Sequence, residues 1–264
     1  MHPNTESVKH YYDEHIRGKL KGFVEESRRV VRAWETVRAY APARVHRILE
    51  VGCGIGDTCW RMSNHWPAAG VAGLDISPKS IETARKLFGS ERVSFHEGIL
   101  TKDTLAGPFD LIVLMDVYEH IATDDRPGLH EALAHLLSDA GRIILSFPTP
   151  RHLAYLRQYV PGGIQPVDED IDVHVIGQLA KDTATEVLLY KEVNIWHPGD
   201  YGHAVLARPI AAWTPGSYRQ ENLKLQQAGK VGRIVGKIIN ANPLFSRKKD
   251  RLRLVREKLG KNAL

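Results

Sequence analysis

Cysteine is scarce in this sequence, with Cys53 and Cys59 the two among 264 residues. Both fall in one turn-to-helix stretch. No second pair exists to complete a four-thiolate zinc site, and a reduced compartment is expected. Long apolar runs are absent as well. Without a stretch of about 18 apolar residues, no membrane-spanning helix is expected. The first fifteen residues are polar and include acids. They lack the basic, apolar and small-residue succession of a secretory leader, so the expected location is cytoplasmic. There is no internal repeat, no RNA-binding motif and no basic, aromatic-rich strand pattern. That argues against nucleic acid as the main partner.

Charge is present but uneven. The formal net charge is +5. Residues 217–264 hold 13 Lys/Arg and 3 Asp/Glu, a local net of +10, which leaves −5 for the remainder. A mildly acidic body thus carries a strongly basic tail, and such a tail suits an anionic partner.

Along the chain, helical spacing is expected over residues 6–17 and 24–40, with Pro42 stopping the second stretch. Arg47-Ile48-Leu49-Glu50-Val51 reads as a short strand that enters a glycine-rich turn, and residues 57–66 as the helix after it. Val71 to Ile76 is a second strand. Ser77-Pro78 then supplies a cap with proline at the first helical position. Val93-Ser94-Phe95-His96 alternates as a strand does. Phe109 to Asp116 is a continuous apolar run, as in a central strand buried on both faces. A helix over about 127–138 and a strand over Gly141–Pro148 follow. A further helix covers 174–183, and two strand-like runs flank His197-Pro198-Gly199-Asp200. The pattern predicts an α/β sandwich: a mostly parallel sheet between helical layers, ending in an antiparallel hairpin.

The turn Gly52-Cys53-Gly54-Ile55-Gly56 lets the backbone bend tightly and approach a ligand closely. A dinucleotide-binding turn would read G-x-G-x-x-G, and the spacing here is G-x-G-x-G. Glu50, two residues before the first glycine, is a poor neighbour for pyrophosphate. It suits a ligand with an ammonium group and no phosphates. Asp75 ends the next strand about 20 residues on, where an acid accepts hydrogen bonds from both ribose hydroxyls.

Ile48 to Gly56, Gly73-Leu74-Asp75-Ile76-Ser77 and Phe109-Asp110-Leu111-Ile112 resemble successive motifs of class I S-adenosylmethionine-dependent methyltransferases. The resemblance is strong over about 40–150 and loose over 150–208. It implies a Rossmann-like three-layer fold with a seven-stranded sheet whose last strand is antiparallel. It also implies S-adenosyl-L-methionine as cofactor. Gly52, Cys53, Gly54 and Gly56 would hold the amino-acid part, with Glu50 beside them. Asp75 would hold the ribose, and Ile76 would pack on the adenine. Gly98, Ile99 and Met115 would complete the pocket. Family members often carry an acid directly after the glycine that ends the third strand. Here Ile99 follows Gly98, which leaves the adenine amino group to backbone groups.

Met115-Asp116-Val117-Tyr118-Glu119-His120 follows the buried strand, at the end of the sheet that faces the cleft. His120 is placed to take a proton from an acceptor hydroxyl, with Glu119 beside it. Asp116, Glu119 and His120 also form a D-x-x-E-H pattern. It is similar to the E-x-x-E-H segment of ubiquinone-pathway O-methyltransferases and small-RNA 2′-O-methyltransferases, where a divalent metal is implied. A third reading is that the pair shapes the cofactor pocket, and the metal reading is the least favoured.

By the same resemblance, residues 1–40 cover the site, 41–210 form the methyltransferase domain, and 151–185 insert over the acceptor. Tyr12, Tyr155 and Gln165 are the candidate substrate contacts. The mixture of aromatic and polar groups at 151–171 suits a small hydroxylated metabolite or a saccharide, as in bacterial glycan clusters. In the tail, Val231, Ile234, Val235, Ile238 and Ile239 interleave with Lys230, Arg233 and Lys237 as a basic amphipathic helix. Such a helix docks on the body or touches an anionic membrane surface, and nucleic acid is less favoured. The function expected is O-methylation. The alternatives are a metal-dependent RNA methyltransferase and a non-catalytic membrane-associated scaffold that keeps the cofactor fold.

Overall fold

The computed structural model describes residues 5–209 and 248–264. Seven strands form one sheet: β1 (Arg47–Val51), β2 (Gly70–Asp75), β3 (Val93–Glu97), β4 (Phe109–Met115), β5 (Leu137–Pro148), β6 (Glu186–Val193) and β7 (Tyr201–Ala207). Their order is β3-β2-β1-β4-β5-β7-β6. β1 to β5 run parallel, and β7 lies antiparallel between β5 and β6. The expected α/β sandwich with its terminal hairpin is the architecture observed.

The strands alternate their side chains between two cores, as the period of two requires. Ile48, Leu111, Val113, Ile144 and Val205 face one side. Leu49, Ile112, Leu114, Ile143, Leu145 and Leu206 face the other. All eleven of these residues are buried, which is why β4 reads as a continuous apolar run from Leu111 to Met115. The second face is covered by α6 (Arg126–Leu136) and α8 (Val173–Asp182). The first is covered by α2 (Ile16–Glu25), α3 (Arg28–Tyr40), α4 (Asp57–His65) and α5 (Pro78–Phe88). Helix α1 (Thr5–Glu14) lies against α5, and α7 (Pro150–Tyr159) follows β5.

The N-terminal helices differ from the sequence expectation. Residues 16–25 are helical, and the stretch expected as one helix over 24–40 is broken. Glu26 adopts the left-handed conformation (φ 61°) and ends α2, and the Ser27 N–H closes back on the Gly22 carbonyl at 2.9 Å. A left-handed glutamate carries no sequence signal of the kind glycine would give. The hairpin tip also differs. β6 ends at Val193, and Asn194 to Asp200 form a turn in which the Asp200 carboxylate accepts from the N–H groups of Ile195, Trp196 and His197.

The basic helix expected around residues 230–239 lies outside the described residues. Further on, α9 (Lys248–Leu259) packs on α2 and α5. Val255 is fully buried there. The Arg251 guanidinium sits over the rings of Phe23 (5.0 Å) and Trp60 (5.5 Å) and donates to the Phe23 carbonyl and Glu26. Among the described residues no helix is long and apolar enough to cross a membrane.

Candidate active site

The C-terminal ends of the parallel strands meet at one edge of the sheet, where an open α/β fold binds its ligands. Gly52, Gly54 and Gly56 all have positive φ (69°, 53° and 86°). A Cβ at Gly52 would lie 2.2 Å from a Val117 methyl, and one at Gly56 2.8 Å from the Phe95 ring. These positions accept only glycine, for space as well as for backbone angle. Asp75 fastens the turn. One carboxylate oxygen accepts from Gly54 N–H (2.7 Å), and the other from Ser77 N–H (2.9 Å). Each oxygen keeps a lone pair for a further donor.

Glu50 is buried, and its Oε2 has no hydrogen-bond partner. Burial pushes its carboxyl up to about 8, against hydrogen bonds from Thr58 and Cys59 that pull it down. An orphaned buried acid is costly unless a donor comes to it. A ligand ammonium would be such a donor. Beyond the end of β3, Gly98 (φ 143°) faces open space and Ile99 is exposed. Ile76 and Met115 are half-buried. The turn, Glu50, Asp75 and this open flank fit an aminoacyl nucleoside, and nothing in them fits a polyphosphate.

Next to the turn, Tyr118–His120 forms a single 3-10 turn after β4. The His120 Nδ1 lies 2.8 Å from the Val167 carbonyl and 3.0 Å from Asp168 Oδ1. Both partners only accept, so Nδ1 carries a hydrogen, and Nε2 lies 3.6 Å from Glu119 Oε1. Burial would lower the imidazolium, but the Glu119 carboxylate, Asp168 and the Val167 carbonyl together push it up to about 9. Burial pushes the Glu119 carboxyl up to about 7, and its Oε2 also lacks a partner. The Tyr12 ring of α1 reaches to 6.4 Å from the His120 ring.

These groups open onto a cavity of about 480 Å³ lined by Glu119, His120 and Asp168 on one side. His152, Tyr155 and Gln165 come from α7 and the segment after it, and Trp196, His197 and Tyr201 from the hairpin. Expected residues from three separate stretches of sequence therefore share one space. Tyr12 sits at its edge without lining it.

Asp116 belongs to a different arrangement from the metal reading. It adopts φ 56°, a conformation rare outside glycine. Its carboxylate pairs with the Arg29 Nε at 2.7 Å and accepts from the Ser146 hydroxyl. The Asp116 charge holds the Arg29 guanidinium up, so this cation stays charged. Among the described residues no group of three or more His, Cys, Asp or Glu is arranged to hold a metal ion. Arg29 also lines the cavity. Its partner is 87 positions away, and the Asp168 that holds His120 is 48 positions away. No local pattern announces either pair.

The fold is the Rossmann-like one of S-adenosylmethionine-dependent methyltransferases of known structure. Residues 48–141 match the family model for a methyltransferase domain. Among curated relatives, a ubiquinone biosynthesis O-methyltransferase of Chelativorans sp. is 35% identical over 112 residues, covering 41% of this chain and 43% of the relative. A magnesium-protoporphyrin O-methyltransferase of Rhodobacter capsulatus is 34% identical over 107 residues, covering 39% and 46%. The chain spans about half or less of the length of these relatives. Of solved structures, a SAM-dependent methyltransferase from Anabaena variabilis aligns with a TM-score of 0.62 at 18% identity, over 79% of this chain and 98% of the other. A DhpI–SAH complex aligns with a TM-score of 0.60 at 19% identity, over 78% and 98%. At these identities the likeness is one of fold.

Proposed function

We propose that the protein is an S-adenosylmethionine-dependent O-methyltransferase acting on a small hydroxylated molecule, with saccharides among the candidates. The observation that carries this reading is a juxtaposition. The glycine turn, with Glu50 and Asp75, opens beside a cavity lined by His120, whose Nδ1 is tied to the Val167 carbonyl and Asp168 and whose Nε2 lies 3.6 Å from Glu119 Oε1. S-adenosylmethionine, when bound, supplies a methyl group already activated on a sulfonium.

The protein's own part is to hold, orient and accept a proton. The turn backbone and Glu50 would take the amino-acid end, Asp75 the ribose hydroxyls, and Ile76 and the Gly98-Ile99 flank the base. Asp168 and the Val167 carbonyl hold the Nδ1–H of His120, so its Nε2 would receive the acceptor proton. The rings of Tyr155, Trp196 and Tyr201 exclude water around the acceptor, and Gln165 offers an unpartnered buried oxygen to a hydroxyl donor. Alignment of the two partners supplies most of the acceleration in such a transfer.

The test is incubation with S-adenosylmethionine and a panel of sugars, phenols and hydroxy acids, followed by mass spectrometry. S-adenosylhomocysteine and a methyl ether are expected together, with the ether lost in His120→Ala while cofactor binding persists. Methyl found on nitrogen or carbon would overturn the assignment, as would unchanged turnover in His120→Ala.

A further inference from the structure

Three ring side chains stand exposed at the mouth of the cavity: Tyr155 (41% exposed), Tyr159 (64%) and Trp196 (53%). Large aromatic rings left in water beside a cavity mark a binding surface. They come from two elements. Tyr155 and Tyr159 are one turn apart on α7, with ring centroids 5.3 Å apart. Trp196 is on the turn between β6 and β7. Tyr155 joins the two, since its ring also lies 5.3 Å from that of His197. Tyr155 and Trp196 line the cavity, and Tyr159 carries the surface outward from it. A ligand that touches both Tyr159 and His120 is therefore longer than the cavity.

The rings are held in place by the protein itself. The Trp196 N–H donates to Asp200 Oδ2 at 2.8 Å, and its ring packs edge-on against the buried Tyr201 at 5.8 Å. His152 lies nearly parallel to both Trp196 (6.0 Å, 23°) and Tyr155 (6.5 Å, 16°). Rigid rings of this kind offer contact area at little cost in conformational entropy.

The groups around the rings narrow the ligand. Arg151 is paired with Glu192, Arg157 with Asp170, and Arg29 with Asp116. A nucleic-acid strand would stack on the rings, but its phosphates would find these arginines already engaged. A hydrocarbon tail would cover the exposed Arg151–Glu192 and Arg157–Asp170 pairs and strip them of water. A sugar ring suits both surroundings. Its C–H face is apolar and meets the negative face of an aromatic ring, and its hydroxyl edge bonds to the flanking carboxylates and guanidiniums.

We propose that these rings form a second acceptor subsite and that the acceptor is an oligosaccharide: one sugar enters the cavity toward His120 while its neighbour lies on Tyr155, Tyr159 and Trp196. This rests on the methyltransferase reading given above and names its acceptor class.

The test is a printed array of mono-, di- and oligosaccharides, with single-stranded RNA and simple phenols as further spots. It is incubated with the full chain and S-adenosylmethionine labelled in its methyl group. Label is expected on glycans of two or more sugars. For a glycan so found, Tyr159→Ala should raise KM about three- to tenfold, the loss of one stacked ring, with kcat within about twofold. Tyr159→Trp should restore the KM. The methyl glycoside of the single sugar should be a poorer substrate that does not distinguish wild type from Tyr159→Ala. Label on no glycan, or on RNA or phenols alone, would overturn the inference, as would an unchanged KM for the glycan in Tyr159→Ala. Calorimetry with S-adenosylmethionine on the same preparation reports separately on the methyltransferase reading: binding with no labelled glycan leaves that reading standing, and absence of binding overturns it.

Discussion

Replacing Glu50 with glutamine should stabilise the ligand-free protein and weaken its hold on the cofactor, and both effects should depend on pH. The carboxyl is buried, one oxygen has no partner, and burial holds it at about 8 against an ordinary value of 4.5. The unfolded chain ionises this group first, so the folded state binds the extra proton between those values. Stability is therefore complete below pH 4.5 and is lost as pH rises toward 8. At about 1.4 kcal/mol per pKa unit, the loss between pH 5 and pH 7.5 is roughly 3 kcal/mol. For a chain of this size that corresponds to about 6–10 °C in melting temperature. Glutamine keeps the shape and one oxygen acceptor but does not titrate. Thermal melts of both proteins at pH 5 and pH 7.5 should nearly coincide at the lower pH and separate at the higher, with Glu50→Gln melting later. Added S-adenosylhomocysteine should reverse the order at pH 7.5, because the ligand ammonium stabilises the ionised form. A gap between the two melts that does not change with pH would refute the reasoning.

Other consequences are more local. The rate of methyl transfer should rise about tenfold per pH unit through neutrality and level off near 9, where His120 loses its proton. In Asp168→Asn the loss of one carboxylate should move that rise to lower pH while lowering the maximum rate, and a profile that does not move would remove Asp168 from the dyad. Ile112→Ala opens a cavity at a fully buried position of β4 and should cost roughly 2–5 kcal/mol in denaturant unfolding. Arg251→Ala removes the cation stacked on Phe23 and Trp60 and should cost about 2–4 kcal/mol, with α9 amides losing protection in hydrogen exchange. Protected α9 amides in that variant would show that Val255 and its neighbours alone dock the helix.

Much of this architecture is legible in the sequence, and the reasons are physical. β4 sits at the centre of a parallel sheet, so both of its faces are apolar and the run from Phe109 to Met115 announces it. Gly52 and Gly56 stand where a side chain would collide with Val117 or Phe95, and glycine spacing alone marks such a turn. Ser77 and Pro78 cap α5 as their order suggests, with the Ser77 hydroxyl accepting from Ser80 N–H. What the sequence hides is non-local or backbone-encoded. The break at Glu26 depends on a left-handed residue that is not glycine. The Asp168–His120 and Arg29–Asp116 pairs join stretches of chain that meet only after the sheet is assembled.

The central claim is that the glycine turn and Asp75 bind S-adenosylmethionine. Titration calorimetry of wild type and Asp75→Ala with this ligand tests it most directly. Because the carboxylate would bind the ribose hydroxyls through charge-assisted hydrogen bonds, each worth about 1.5–3 kcal/mol, one site per chain is expected in wild type and a loss of at least about tenfold in the variant. Absence of binding to the folded wild-type protein, or equal affinity in Asp75→Ala, would contradict the account.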